Sequence, residues 1–417
     1  VFELENVMRP YAWGSTTAIA ELLGREASGR PEAELWIGAH PDSPSRVQGN
    51  GRPSIPLDEL IAGDPAHFLG SSSLQNFGPR LPFLTKVLAA ETPLSLQVHP
   101  SLAQAREGFA AENAAGVAPD SPSRNYRDDN HKPEMIFALS PFEALCGFRP
   151  PAESSAVFGH IVDFLELAGL DVPALLPRVR EDLSHGDEST ALRTAFTRLI
   201  HGGQEVAEAT EHVAAALRSG APMRPHTPAL STFMNLNGHY PGDPGVLISL
   251  LLNVVSLKPG EAVYLPAGNV HAYLKGLGVE VMAASDNVLR GGLTPKHVDI
   301  PEVLKTIEFK SIDVPTIKPE YSALGQELYR PPFREFQLQR IEVGPGSEPV
   351  PLAQAGPAVV VVTSGAMVLD SPKSDLPLKR GGTAFIPDSE NPVMVHPASG
   401  AAGGPGVAFA VTTGLEA

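Results

Sequence analysis

Two stretches, Lys258-Pro-Gly-Glu-Ala-Val-Tyr-Leu-Pro-Ala-Gly-Asn-Val-His271 and Arg380-Gly-Gly-Thr-Ala-Phe-Ile-Pro-Asp388, share one pattern. A glycine turn opens each, an apolar run follows, and a proline turn closes it. Gly260 stands as far before Pro266 as Gly381 does before Pro387. Short apolar runs bounded by turn residues read as strands. The first stretch then supplies His271, and the second has no histidine at the corresponding place. The economical reading is two related β-units, one furnished with a metal ligand and one blank.

Outward from these stretches, the strand-and-turn texture runs from beyond Pro225 to the C-terminus and again from Val1 to about Pro150. In the N-terminal part, Leu81–Leu88, Pro93–His99 and Met135–Leu139 read as strands, and Ala103–Glu112 as a short helix. Ala152 to about Ser219 differs. Val157, Ile161, Phe164, Leu165 and Ala168 recur at helical spacing, as do Leu192, Phe196, Leu199 and Ile200, then Val206, Ala209, Val213 and Leu217. The predicted fold is therefore mainly β with an α-helical insertion. Residues 1–150 together with 226–317 form a first unit, 151–225 the insertion, and 318–417 a C-terminal β-unit without metal ligands.

Composition narrows the function. The 417 residues include 39 glycines and 42 prolines, which fits frequent turns, and 42% are hydrophobic, enough for a packed core. A formal charge of -16 argues against nucleic acid, whose binders present a basic face. Cys146 is the only cysteine, so an intrachain disulfide or a thiolate metal cluster is excluded. No basic segment leads into an apolar core at the N-terminus, and no apolar run reaches the ~18 residues of a membrane span. A cytoplasmic protein with no membrane partner is expected. No heptad or apolar seam argues for an oligomer, so a monomer is expected.

Three constellations carry chemistry. Gln97 and His99 stand two apart on a predicted strand and so point to one face. With Glu134 and His271 they offer imidazole, carboxylate and amide ligands, which suit zinc and do not exclude manganese, iron or cobalt. Tyr126-Arg-Asp-Asp-Asn-His-Lys-Pro-Glu134 is dense in polar groups just before an apolar strand, and Pro133 biases Lys132 toward extended geometry. In Glu280-Val-Met-Ala-Ala-Ser-Asp-Asn-Val-Leu-Arg-Gly-Gly-Leu-Thr-Pro-Lys296, Arg290 and Lys296 flank a glycine turn and could grip a phosphate. A solvated loop would look similar in both polar segments. Phosphate loops of the GxxxxGK[ST] and GxGxxG kinds are absent.

Gly260-x5-Pro266-x-Gly268-x2-His271 resembles the second motif of the cupin superfamily. Tyr126-x-Asp128-x-Asn130-His131-Lys132-Pro133-Glu134 is similar to the first signature of type I mannose-6-phosphate isomerases. The run from His271-Ala-Tyr through Glu280, Asp286 and Arg290 to Lys296 resembles their second. Arg9-Pro-Tyr-Ala-Trp13-Gly, Glu34-Leu-Trp-Ile-Gly-Ala-His40-Pro and Gln97-Val-His99-Pro also read like that family. The resemblance reaches from the N-terminus to about Lys296, and beyond Lys318 it lies in layout alone. It implies two cupin, or jelly-roll, β-units and a zinc enzyme interconverting mannose 6-phosphate and fructose 6-phosphate. It implies one Zn²⁺ per chain on Gln97, His99, Glu134 and His271, and a phosphorylated hexose as partner. It implies Arg290 in the active site, Lys132, Glu280 and Asp286 as further catalytic candidates, and Ser95, Lys296, Tyr273 and Trp13 toward the substrate. Gly291 stands where the family usually has alanine. A metal cupin oxygenase and a non-catalytic sugar-phosphate-binding bicupin are the competing readings.

Overall fold

The structure is a computed structural model that describes residues 1–48, 54–219, 227–398 and 404–415. Three antiparallel sheets and a block of helices make up the chain. The central element is the strand His271–Ala283. Its second half pairs with Phe83–Ala90 on one side and Glu134–Ala138 on the other, and its first half pairs with Phe142–Phe148 and Leu96–Val98.

Side-chain alternation gives the sheet around this strand two distinct faces. Leu35, Ile37, Phe83, Val87, Ala89, Met135, Phe137, Val279 and Val281 point one way, into a core shared with Leu338, Val359, Val361, Phe385, Phe409 and Val411 of the C-terminal half. Each large apolar side chain buried in that seam is worth about 1.5–3 kcal/mol. The intervening positions, including Glu34, Trp36, Lys86, Glu280 and Glu134, point the other way. Both faces of this sheet are buried, one against apolar side chains and the other around ionisable ones.

The C-terminal half forms a sheet that includes Gln337–Val343, Ala358–Ser364, Thr383–Ile386 and Gly406–Thr412, and the N-terminal strand Phe2–Glu5 joins it beside Thr383–Ile386. Its second face meets a smaller four-stranded sheet over Val360, Val362, Met367, Leu369, Ile386 and Val395. The two stretches that share a sequence pattern also share local conformation. Gly260 and Gly381 have φ of +94° and +84°, which a side chain would oppose, and strands Ala262–Leu265 and Thr383–Ile386 follow them.

Helices Pro151–Leu167, Glu188–Ile200 and Gly203–Arg218 fall where the apolar spacing predicts them, and a further helix, Leu175–Asp182, lies between the first two. Pro225, where strands are expected to resume, lies outside the described residues. Beyond it the helices continue as Pro228–His239 and Pro244–Ile248, and the first strand is Leu252–Leu257. The apolar run Gly245–Leu252 is buried throughout, so it carries no alternation to betray its helical turns. Its start is fixed by Pro244 and by Asp243, whose side chain accepts from the Gly245 N–H. The helical core packs on Leu96, Leu145, Leu252 and Leu289, covering the outer face of the other strands around the site. No helix among the described residues is long and apolar enough to cross a membrane.

Candidate metal centre

Strand register brings distant residues side by side. His271 lies opposite both Gln97 and Cys146, and Gln97 lies opposite Arg290 on its other edge. Glu134 pairs with Met282 of the same long strand. In a regular strand His271 and Tyr273 would face away from Glu280, because seven and nine are odd separations. A register shift between Tyr273 and Lys275, followed by Gly276 at φ +135°, reverses the alternation. One interior therefore receives side chains from both halves.

His99 Nδ1 lies 2.8 Å from the Asn287 carbonyl, and His271 Nδ1 lies 3.0 Å from the Asn269 carbonyl. A carbonyl only accepts, so both Nδ1 atoms carry the proton and both Nε2 lone pairs are free. These face Glu134, with Oε1 3.3 Å from His99 Nε2 and Oε2 3.4 Å from His271 Nε2. All three side chains are buried. His99 Nε2 has no hydrogen-bond partner, an unfavourable state unless a ligand completes it. Burial pushes the His99 imidazole down to about 4 against the pull of Glu134, so the ring is neutral. Burial works to raise the Glu134 carboxyl, but the charge of Lys132 beside it wins and holds the carboxyl well below its ordinary value. Two imidazoles and a carboxylate, with donor atoms within 4.8 Å of one another, form a set fit for a divalent metal.

A second row lies beside this cluster. Trp36, Lys86, Glu280 and Ile136 are successive partners across four strands. Lys86 Nζ sits 2.9 Å from Glu280 Oε2, 3.6 Å from Glu34 Oε1 and 5.1 Å from the Trp36 ring centre. Trp36 Nε1 donates to Glu34 Oε2 at 2.7 Å. Burial acts to lower the Lys86 ammonium, yet the charges of Glu280 and Glu34 raise it above its ordinary value. The buried Glu280 carboxyl is raised: desolvation, with Glu134 and Glu34 nearby, outweighs Lys86.

Residues 1–151 match the family model described as phosphomannose isomerase type I, catalytic domain. The chain is 40% identical over 398 residues to mannose-6-phosphate isomerase of Escherichia coli (strain K12), covering 94% of this chain and 96% of that protein. The chain belongs to the mannose-6-phosphate isomerase family. The Homo sapiens mannose-6-phosphate isomerase is 34% identical over 417 residues, covering 94% of each. Among solved structures, the H99A mutant of phosphomannose isomerase from Salmonella typhimurium has a TM-score of 0.87 at 35% identity and covers 99% of both chains. A zinc-bound holo mannose 6-phosphate isomerase has a TM-score of 0.86 at 35% identity, again covering 99% of both.

In this mannose-6-phosphate isomerase family member, Lys132 Nζ is 3.1 Å from Glu134 Oε1, so both reach the cavity. Buried Tyr273 stands beside them, its ring centre 6.3 Å from that of His271. Gln97 is half-buried, with Nε2 3.5 Å from Ser95 Oγ. The other expected residues lie nearer the open side. Asp286 Oδ2 is 3.3 Å from His40 Nε2, and its backbone N–H donates to Asp128. Burial lowers the Arg290 guanidinium, and the like charge of Arg127 adds to this. Lys296 is lowered by burial and then by the like charges of Arg290 and Arg127. Trp13 stacks on Tyr11 and packs against the cluster containing Tyr273. Gly291 has only ordinary contacts near an added Cβ, Phe196 at 3.8 Å and Leu96 at 3.9 Å, so the departure from alanine is sterically neutral. Sequence reasoning missed Lys86, Glu34 and Asn287. For Lys86 a signal existed, since it is the one charged residue in a strand that is otherwise Phe, Leu, Thr, Val and Ala.

Proposed function

We propose that this chain is a zinc-dependent aldose–ketose isomerase that interconverts D-mannose 6-phosphate and D-fructose 6-phosphate. The observation that carries the reading is the orphaned, buried Nε2 of His99 aimed at Glu134 and His271. Gln97, His99, Glu134 and His271 would hold the ion, and when bound zinc would supply fixed positive charge near the reacting oxygens. The chain's own groups account for the rest. Isomerisation moves a proton between C1 and C2 through an enediolate, so negative charge develops on the sugar's oxygens. Arg290 and Lys132 are cations suited to oppose that charge. A carboxylate must collect the carbon-bound proton and return it one carbon over. Glu280 and Asp286 are the two set to do so, Glu280 beside Lys86 in the interior and Asp286 against His40 at the rim. Lys296, near Arg290, and Ser95, near Gln97, would take the phosphate dianion, which a protein of charge -16 can attract only through local positive potential. Trp13 and Tyr273 would wall the sugar.

The same reading treats the two β-units as a bicupin with a blank C-terminal member, and keeps the division at 1–150 with 226–317, 151–225 and 318–417. The aliphatic filling of the C-terminal core supports it. The test is a coupled assay of zinc-loaded protein with mannose 6-phosphate in deuterated water. Fructose 6-phosphate should form at roughly 1–10³ per second, with deuterium entering at the transferred position. No fructose 6-phosphate would refute the isomerase reading, and turnover without exchange would leave two mechanisms, a hydride shift or a shielded base that returns the same proton.

A further inference from the structure

His131 and Glu335 are 204 residues apart in the chain, yet His131 Nε2 and Glu335 Oε1 are 2.6 Å apart. Their side chains are 23% and 13% exposed, so the bond is largely shielded from water. Burial works to raise the Glu335 carboxyl, but the hydrogen bond and charge of His131 and two backbone N–H groups outweigh it and hold it below its ordinary value. An ionised carboxylate only accepts, so His131 Nε2–H donates.

The direction of this contact gives it meaning. Pro133 keeps Lys132 extended, and extended chain sends successive side chains to opposite sides. Lys132 and Glu134 turn inward and meet at 3.1 Å. His131 turns outward, to the C-terminal half. On the other flank the loop is tied to the catalytic sheet, where Asn287 Nδ2 donates to the Asn130 carbonyl at 2.8 Å and Asn130 Nδ2 donates to the Ala284 carbonyl at 3.2 Å. Glu335 is itself firmly mounted. The Phe333 ring packs at 5.7 Å on Tyr264 and at 5.8 Å on Phe336, and the Gly414 N–H donates to the Arg334 carbonyl at 3.0 Å. A side chain at Gly414 would come within 2.5 Å of the Phe333 oxygen, so this packing admits only glycine there.

We propose that Glu335 is a positioning residue for the isomerisation: through His131 it fixes the backbone that aims Lys132 and Glu134, so the C-terminal β-unit completes the site. The inference rests on the isomerase reading above. It assigns the metal-free half of the chain a part in turnover beyond stability.

The experiment compares wild type, Glu335→Ala, Glu335→Gln and Tyr329→Phe in turnover of mannose 6-phosphate, in zinc affinity by competition with a chromophoric chelator, and in melting midpoint. Tyr329→Phe removes a different tie between the halves, Tyr329 Oη to the Gly260 carbonyl at 3.3 Å, away from the loop. Glu335→Ala should lower kcat about ten-fold or more, with less change in KM, and weaken zinc by a similar factor. Glu335→Gln keeps an acceptor oxygen and should recover most of both, and Tyr329→Phe should match wild type in kcat. Unchanged kcat and zinc affinity in Glu335→Ala would overturn the proposal, as would an equal loss in Tyr329→Phe or no recovery in Glu335→Gln. Should Glu335→Ala not fold, Glu335→Asp, one methylene shorter, takes its place and must lose turnover. Wild-type protein without isomerase activity would defeat the functional reading alone, and the zinc affinities would then decide the role of Glu335.

Discussion

Asn287 is fully buried and serves several partners at once. Its side-chain amide donates to the carbonyls of Asp128 and Asn130 and accepts from the Arg127 N–H, and its own carbonyl orients His99. It thereby joins the segment carrying Lys132 to a metal ligand. Such a hub has no sequence signature, since an asparagine in a polar loop looks the same whether it holds one bond or four. Strand spacing placed Gln97 and His99 on one face, and the resemblance to the family supplied the rest of the candidate ligand set. Arg290 stood out at its glycine turn as a candidate phosphate grip, its place in the active site was implied by the resemblance, and the structure adds the like charge of Arg127 nearby. If Arg290 opposes charge that develops only during reaction, Arg290→Ala should lower kcat roughly 10²-fold or more with little change in KM. Steady-state kinetics checks this, and a change in KM alone would make Arg290 a binding residue.

The long strand His271–Ala283 decides what faces the cavity. Its alternation is reversed at the bend near Gly276, where an added Cβ would lie 2.6 Å from the Phe142 ring and 2.8 Å from Phe142 Cα. Gly276→Ala combines that clash with an unfavourable positive φ, and should destabilise the fold by about 3 kcal/mol. Denaturant unfolding measures it, and a loss below about 1 kcal/mol would mean that the bend is not sterically enforced. The sequence revealed the strand's polar residues and could not reveal that odd and even positions share one face, because a bulge depends on the partner strand's register. Helices were readable where one face is polar, as in Glu188–Ile200 and Gly203–Arg218. Pro244–Ile248 escaped because it is buried on every side.

At the scale of the whole molecule, one sheet serves two cores. Its outward face joins the two halves through Phe83, Phe137, Phe385 and Phe409, and its inward face gathers the ionisable groups. Three carboxylates and two lysines, namely Glu34, Glu134, Glu280, Lys86 and Lys132, are buried in that inward region. Buried ions weaken a fold unless paired, and here Lys86 meets Glu280 and Lys132 meets Glu134 at 2.9 and 3.1 Å. Much of this architecture was legible as strand-and-turn texture on either side of a helical block, while the seam that fuses the two halves was not, because apolar strand residues do not name their partners. The measurement closest to the centre of the account is zinc titration of protein first stripped with a chelator. Isomerisation of mannose 6-phosphate should vanish on stripping and return in proportion to zinc, saturating at one ion per chain, with His99→Ala failing to recover. Full turnover in protein verified as metal-free, or recovery in the His99 variant equal to wild type, would contradict it.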